Sequence, residues 1–235
     1  MSVIESIASR LRRRRLSEKG ASELAYWRAR VREGTLEDSN HLYRELFVDH
    51  FGLDPGFYEG KRLLDIGCGP RGSLEWAADA TERIGLDPLA AEYQRLHSRP
   101  EGMRYVSGTA ENIPFPDAHF DVVSSFNSLD HVDDVGATVA EIARVTRVGG
   151  VFLLLCDINH EATRTEPHSF GWDLTQRFEA EWQLAERREF ERPTDNMYDN
   201  VRGSGQEYRD DEGKRPGVLS ARFVRRGTVV GPPAS

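Results

Sequence analysis

Cysteine is scarce in this chain: Cys68 and Cys156 are the only two among 235 residues. Two thiols cannot build a disulfide framework, and without a CxxC spacing they offer no zinc site. Both are expected to be reduced, small fillers at a strand end or packed turn. Long apolar runs are also missing. No stretch of about 18 uninterrupted apolar residues occurs that could span a bilayer. The opening "MSVIESIASRLRRRRLSEKG" lacks the apolar centre and small-residue cleavage site of a secretory signal, so a soluble, cytoplasmic protein with no membrane contact is expected. Positive charge is in deficit, with 31 basic against 39 acidic residues and a formal charge of -8. That balance, with no interleaved basic and aromatic surface run, argues against nucleic-acid partners and leaves small ligands open, cationic ones included. There is no internal repeat or linker.

What is present divides at about residue 60. Before it the pattern is helical: a short amphipathic basic helix around residues 4–15, a helix over 22–32 with Leu24, Trp27 and Val31 on one side, and another over 40–51 with Leu42, Leu46, Phe47 and Phe51 inward. Residues 1–60 are therefore expected to form a helical cap or lid. From residue 61 to 235 short apolar runs alternate with helix-period segments, the signature of a parallel sheet with crossover helices. Strands are expected at "RLLDI", "ERIGLD", "MRYVSG", "FDVVSSF" and "GVFLLLCDI", with helices over 72–80, 89–97 and 135–147. A helix over 172–179, a strand at "EWQLAERREFER", and a last strand at "LSARFVRR" follow. Residues 193–217, rich in Asp, Asn, Gly and Arg without periodicity, read as a mobile loop, and "GPPAS" as a disordered tail.

In such a sheet, ligands sit beyond the carboxyl ends of the strands. The segment "RLLDIGCGPRGSLEW" places Asp65, Gly67, Gly69 and Gly72 there. The three glycines satisfy GxGxxG, which alone also fits a nicotinamide or flavin site. Asp65 at the strand end and Pro70, which removes one amide donor, disfavour a pyrophosphate and favour a cationic ligand without phosphate. Taken in order, "LLDIGCGPRG", "ERIGLDP", "SGTAENIPFPDAHFDVVSSFNSLDHVDD" and "EIARVTRVGGVFLLL" resemble the class I S-adenosylmethionine-dependent methyltransferases. The likeness spans residues 61–157 and is nearest to the small-molecule, ubiquinone and menaquinone methyltransferase-like branch.

The resemblance implies an α/β, Rossmann-like, seven-stranded mixed sheet whose final strand is antiparallel. It also implies S-adenosylmethionine as cofactor and S-adenosylhomocysteine as product. By the same likeness Asp65, Gly67, Cys68 and Gly69 hold the methionine half, with Asp65 ordering the loop. Asp87 and Pro88 hold the ribose, Ala110 and Glu111 lie against adenine, and Asn127 borders the methyl donor. Each has a plainer alternative: a helix N-cap for Asp87, a surface turn for Glu111 and a strand-end polar residue for Asn127.

A hydroxyl acceptor would need a base, and histidine titrates near working pH. His131 and His160, following the fourth and fifth strands, are the catalytic candidates, with structural hydrogen bonding as the alternative. Glu166, His168, Trp27 and Trp172 are candidates to contact the acceptor, with capping and core packing as their alternatives. His160, Glu166 and His168 match no established metal template, so no divalent metal is expected. The expected partner is a small-molecule acceptor, a sugar or specialised metabolite, with a homodimer as a further expectation. Two rival readings are a nucleotide-dependent oxidoreductase and a protein that binds S-adenosylmethionine without transferring its methyl.

Overall fold

A computed structural model describes residues 17–34, 40–96, 102–202, 205–209 and 214–227. The basic helix expected over 4–15 and the "GPPAS" tail lie outside them. Seven strands form one sheet in the order β3-β2-β1-β4-β5-β7-β6. They are β1 (Arg62–Ile66), β2 (Glu82–Asp87), β3 (Arg104–Ser107), β4 (Phe120–Phe126), β5 (Thr146–Ile158), β6 (Trp182–Glu191) and β7 (Gly217–Arg225). The first five are parallel, and β7 runs antiparallel to both β5 and β6. The order reverses between β1 and β4, which opens a crevice at their carboxyl ends. Strands β4 and β5 are buried on both faces for most of their length, as their unbroken apolar runs require.

The expected cap has two parts with different roles. Helix α1 (Glu18–Arg32) begins at Ser17, whose hydroxyl accepts from the Gly20 amide at 3.0 Å, and ends before Gly34 at φ +67°. It lies across the carboxyl edge. Helix α2 (Asn40–Arg44) continues into a widened π turn, Glu45–His50, which buries Leu46, Phe47, Val48 and His50. These side chains pack with Leu63, Val122, Leu153 and Val218 on one face of the sheet, so the second part of the cap belongs to the core. The other face is covered by α4 (Val135–Val145), capped by Asp134, and by the 3₁₀ turns Trp172–Phe178. Between these, α3 is a single turn, Ala90–Tyr93.

Three expectations need correction. Residues 72–80 form successive turns, with Ala77 N bonded to Leu74 O at 3.2 Å and Ala80 N to Ala77 O at 3.0 Å. Gly72 starts them at φ +76°, outside the helical region, and the Glu75 carbonyl accepts from the Arg83 guanidinium at 2.9 Å rather than from a helical amide. Residues 172–179 wind as 3₁₀ turns, not an α-helix. Within 193–217 the described residues 193–202, 205–209 and 214–217 are not without regular structure. They include α5 (Met197–Val201), whose Met197, Asn200 and Val201 are buried and whose N-cap Asn196 accepts from the Tyr198 amide. Asn200 bonds Thr194 through both ends of its amide, and Glu207 bridges to Phe190 on β6. Asx-type capping holds such a segment without leaving any hydrophobic period to read. Among the described residues no helix is long and apolar enough to cross a membrane.

Candidate functional site

The bend after β1 is built by its own carboxylates. Asp65 is 4% exposed and accepts from the Ser124 hydroxyl at 2.6 Å and from the Ser73 hydroxyl. Burial pushes its carboxyl up to about 6 against the pull of those two donors. Asp65 thus ties the bend to β4 and to the turns that follow. Asp87, at the end of β2, accepts from the Leu89 amide at 2.8 Å through one oxygen and from the Gly69 amide at 3.2 Å through the other. Leu89, not Asp87, is the N-cap of the following helical turn, so Asp87 closes an Asx-type turn there and stitches the bend to β2; a carboxylate retains lone pairs for further donors.

The glycines do different work. Gly67, at φ +69°, has no room for a side chain, because a Cβ would overlap Ser128 at less than 3.0 Å. Its missing side chain makes room for Ser128 of the protein's own loop. At Gly69 a Cβ would meet only Trp27, at 3.7 Å, so this is the position left open. Cys68 is buried over Gly85, where a Cβ would lie 2.6 Å from its sulfur, in keeping with a filler. Pro88 is exposed. Ala110 is buried in the core with Ile84, Leu86 and Ile113. The Glu111 carboxylate accepts from the Asp133 and Asp134 amides at 2.7 and 3.2 Å and fixes the loop ahead of α4. Asn127, at φ +54°, donates its amide to Leu155 O at 2.9 Å, and its side-chain oxygen is buried without a partner.

Helix α1 closes this edge with residues one turn apart. Lys19 donates to the His131 carbonyl and pairs with Asp133 at 3.1 Å. Glu23 lies 3.6 Å from His131 Nδ1. Trp27 covers Gly69 and packs edge-on against Tyr93, 6.4 Å between ring centroids. Lys19 and Glu23 carried no signal in the sequence, since their role depends on where the helix crosses.

Further along this edge three of the expected residues, His131, His160 and Glu166, come together around one that the sequence does not single out, Asp130. It is 1% exposed, and burial raises its carboxyl pKa. His160 Nε2 stands 3.5 Å from one Asp130 oxygen, and the other oxygen is buried without a partner. His131 Nε2 faces Glu166 at 3.7 Å while its Nδ1 faces Glu23. Burial would lower the His131 pKa, but Glu23, Asp130 and Glu166 outweigh it and raise it. Asp130, His131 and Glu166 present ligand-type atoms within 4.8 Å of one another, although both His131 nitrogens already face carboxylates. Nearby, burial pushes Asp157 up to about 6, opposed by Arg192 at 3.1 Å. Two candidates stand apart from the cluster. His168 Nε2 is bonded to the Val132 carbonyl at 2.9 Å with its ring stacked on Phe170. Trp172 packs over Gly217 and edge-on to Tyr208 at 4.6 Å.

Parts of this chain are similar to known proteins. The family described as "Methyltransferase domain" matches residues 64–154. A fatty-acid O-methyltransferase of Mycolicibacterium smegmatis is 35% identical over 124 residues, 50% of this chain and 45% of that protein. A demethylmenaquinone methyltransferase of Thermobifida fusca is 32% identical over 124 residues, 50% of this chain and 52% of that one. The chain thus spans about half the length of these curated relatives. Among solved structures, the methyltransferase complexed with the Haloferax volcanii Trm112 methyltransferase activator superposes with a TM-score of 0.59 at 18% identity, covering 85% of this chain and 97% of that one. At that identity the likeness concerns the fold.

Proposed function

The chain carries a class I S-adenosylmethionine-dependent methyltransferase domain of the small-molecule type over residues 64–154, and from that premise we propose that it methylates an oxygen of a small neutral acceptor. The observation that carries the reading is the gathering of Asp65, Gly69, Asp87, Asn127, His131 and His160 at one carboxyl edge beside the β1/β4 crevice.

The residues present fit the cofactor. Gly69 is open, the Asn127 side-chain oxygen is buried and unpartnered, and the strand-end carboxylates suit a phosphate-free ligand bearing an ammonium and vicinal hydroxyls. When bound, the cofactor supplies an electrophilic methyl on a sulfonium leaving group. Asp65, Gly69 and Asn127 would hold its methionine end, Asp87 the ribose, and Ala110 with Glu111 the base. The chain's own task is then alignment and proton removal.

His160 is the better-placed base. Its Nδ1 donates to the Glu161 carbonyl at 2.9 Å, which leaves Nε2 buried and without a hydrogen bond, 3.5 Å from Asp130. His131, ringed by Glu23, Asp130 and Glu166, is better suited to latching α1 over the edge. Those same carboxylates would repel an anionic acceptor, which supports a neutral hydroxyl compound such as a sugar or specialised metabolite.

The test is calorimetric titration with S-adenosylhomocysteine and with NAD, followed by an acceptor screen read as S-adenosylhomocysteine release. Binding of NAD alone overturns the donor assignment. With a working acceptor, His160→Ala should lower turnover about 100-fold while S-adenosylhomocysteine affinity stays within about twofold. Undiminished turnover in that variant removes His160 from the chemistry.

A further inference from the structure

Two buried acceptor atoms lie close together at the carboxyl edge, and neither has a donor among the described residues. Asp130, in the turn after β4, is 1% exposed, and its Oδ1 has no hydrogen-bond partner. His160 Nε2, after β5, is likewise buried and unpartnered and stands 3.5 Å from the other Asp130 oxygen. Its ring carries its hydrogen on Nδ1, which donates to the Glu161 carbonyl at 2.9 Å. A carboxylate and an imidazole lone pair thus meet where each asks for a hydrogen. The cations of this edge are committed elsewhere. Lys19 donates to the His131 carbonyl and pairs with Asp133 at 3.1 Å, and Arg192 pairs with Asp157 at 3.1 Å. His131 faces Glu23 with one ring nitrogen and Glu166 with the other.

A buried acceptor left without a donor carries the full cost of its lost hydration. A ligand that relieves both atoms brings two donors close together, and it needs no charge to do so. A single hydroxyl meets one of the two acceptors; hydroxyls on adjacent carbons meet both. We propose that Asp130 and His160 together seat a vicinal diol of the methyl acceptor, one hydroxyl donating to His160 Nε2 and its neighbour to Asp130 Oδ1. The proposal rests on the methyltransferase reading and narrows its neutral hydroxyl acceptor to a 1,2-diol, with Asp130 as the residue that selects it. The hydroxyl on His160 is the one methylated: its proton passes to Nε2, its oxygen takes the methyl, and the sulfonium is left as a thioether. The hydroxyl on Asp130 keeps its proton, so Asp130 also sets which of the two oxygens receives the methyl. Both acceptor atoms are closed off from solvent, and the diol enters as α1 lifts from the side-chain bonds made by Lys19 and Glu23.

The test titrates the full chain, saturated with S-adenosylhomocysteine, with cis-1,2-cyclohexanediol and with cyclohexanol. The His160 ring resonances, identified through His160→Gln, are followed by NMR. The diol should shift them saturably, with an affinity about 10- to 100-fold above that of the single alcohol, the scale of one charge-assisted hydrogen bond. In Asp130→Asn that preference should fall to within about threefold, while cyclohexanol and S-adenosylhomocysteine bind within about twofold of wild type. Asp130→Ser, which leaves no amide to bond His160, should lose the preference in the same way. Equal affinity for the two alcohols, no shift of His160 by either, or a preference that survives both substitutions overturns the proposal. The wild-type comparison decides the diol even where a variant fails to fold. A preference that appears only with added Mg²⁺ puts a cation between Asp130 and the diol and overturns the direct seat as well. Failure of wild-type protein to bind S-adenosylhomocysteine is a separate result: the methyltransferase reading itself then falls, and the diol seat with it.

Discussion

Asp65→Asn should make the protein more stable and a worse binder of its donor. Burial raises the Asp65 carboxyl from an ordinary 3.8 to about 6. An acid whose folded pKa lies above its unfolded one holds its proton more tightly when folded. Its contribution to stability therefore falls as pH rises from about 4 through about 6. The difference between the two values amounts to about 3 kcal/mol of destabilisation at neutral pH. Asparagine has the same shape and no charge, but its amide N–H₂ must face either Ser73 or Ser124, both of which donate to the carboxylate. Turning that hydroxyl costs about 1 kcal/mol, so a net gain of about 1–2 kcal/mol is expected near pH 7. For a chain of this size that corresponds to a rise in Tm of about 2–8 °C. The gain should shrink to nothing by pH 4, where wild-type Asp65 is protonated. S-adenosylhomocysteine affinity should fall about 10-fold or more, since a cationic ammonium loses its buried counter-charge. Scanning calorimetry from pH 4 to 8 with calorimetric titration at pH 7.5 measures both effects. Melting curves that stay parallel across that range would refute the assignment of a strained, charged Asp65.

Gly67→Ala should destabilise the chain by about 2–4 kcal/mol, because the new methyl would overlap Ser128 at a residue held at φ +69°. A chemical denaturation midpoint within error of wild type would show that the bend gives way. Glu23→Gln should loosen α1 in a pH-dependent manner. Since the folded pKa of His131 is raised, its ion pairs stabilise the fold below about 6.5 and lose that contribution as pH climbs through the raised value. Limited proteolysis of α1 should therefore separate variant from wild type at pH 6 and converge at pH 9; a constant difference would assign Glu23 a packing role alone.

Strands were legible where burial on two faces leaves an unbroken apolar run, and β1, β2 and β4 begin and end where their sequences predict. The crossovers were harder because their hydrogen bonds are taken by distant partners. Nothing in residues 72–80 signals that Arg83 will claim the Glu75 carbonyl. Likewise residues 194–200 are held by Asn196 and Asn200, whose capping bonds leave no period. At the site, parallel topology alone brings the residues after β4 and β5 to one edge, so His131 and His160 could be placed beforehand. Asp130 could not, because an acid next to a histidine in sequence reads as a turn until its burial is known.

The charges around the bend also bear on why GxGxxG misleads here. A pyrophosphate needs a row of amides and no carboxylate facing it. In this bend the Gly69 amide is already given to Asp87, and both Asp65 oxygens are taken by Ser124 and Ser73. Of the three glycines only Gly69 has room for a side chain, with Trp27 3.7 Å away. A bend whose open glycine has already given its amide to a carboxylate is poorly matched to a dianion. The strand-end carboxylates suit an ammonium instead, which the amino-acid end of the donor supplies. The donor's zwitterionic end, more than its nucleoside, is therefore where this bend departs from a dinucleotide fingerprint.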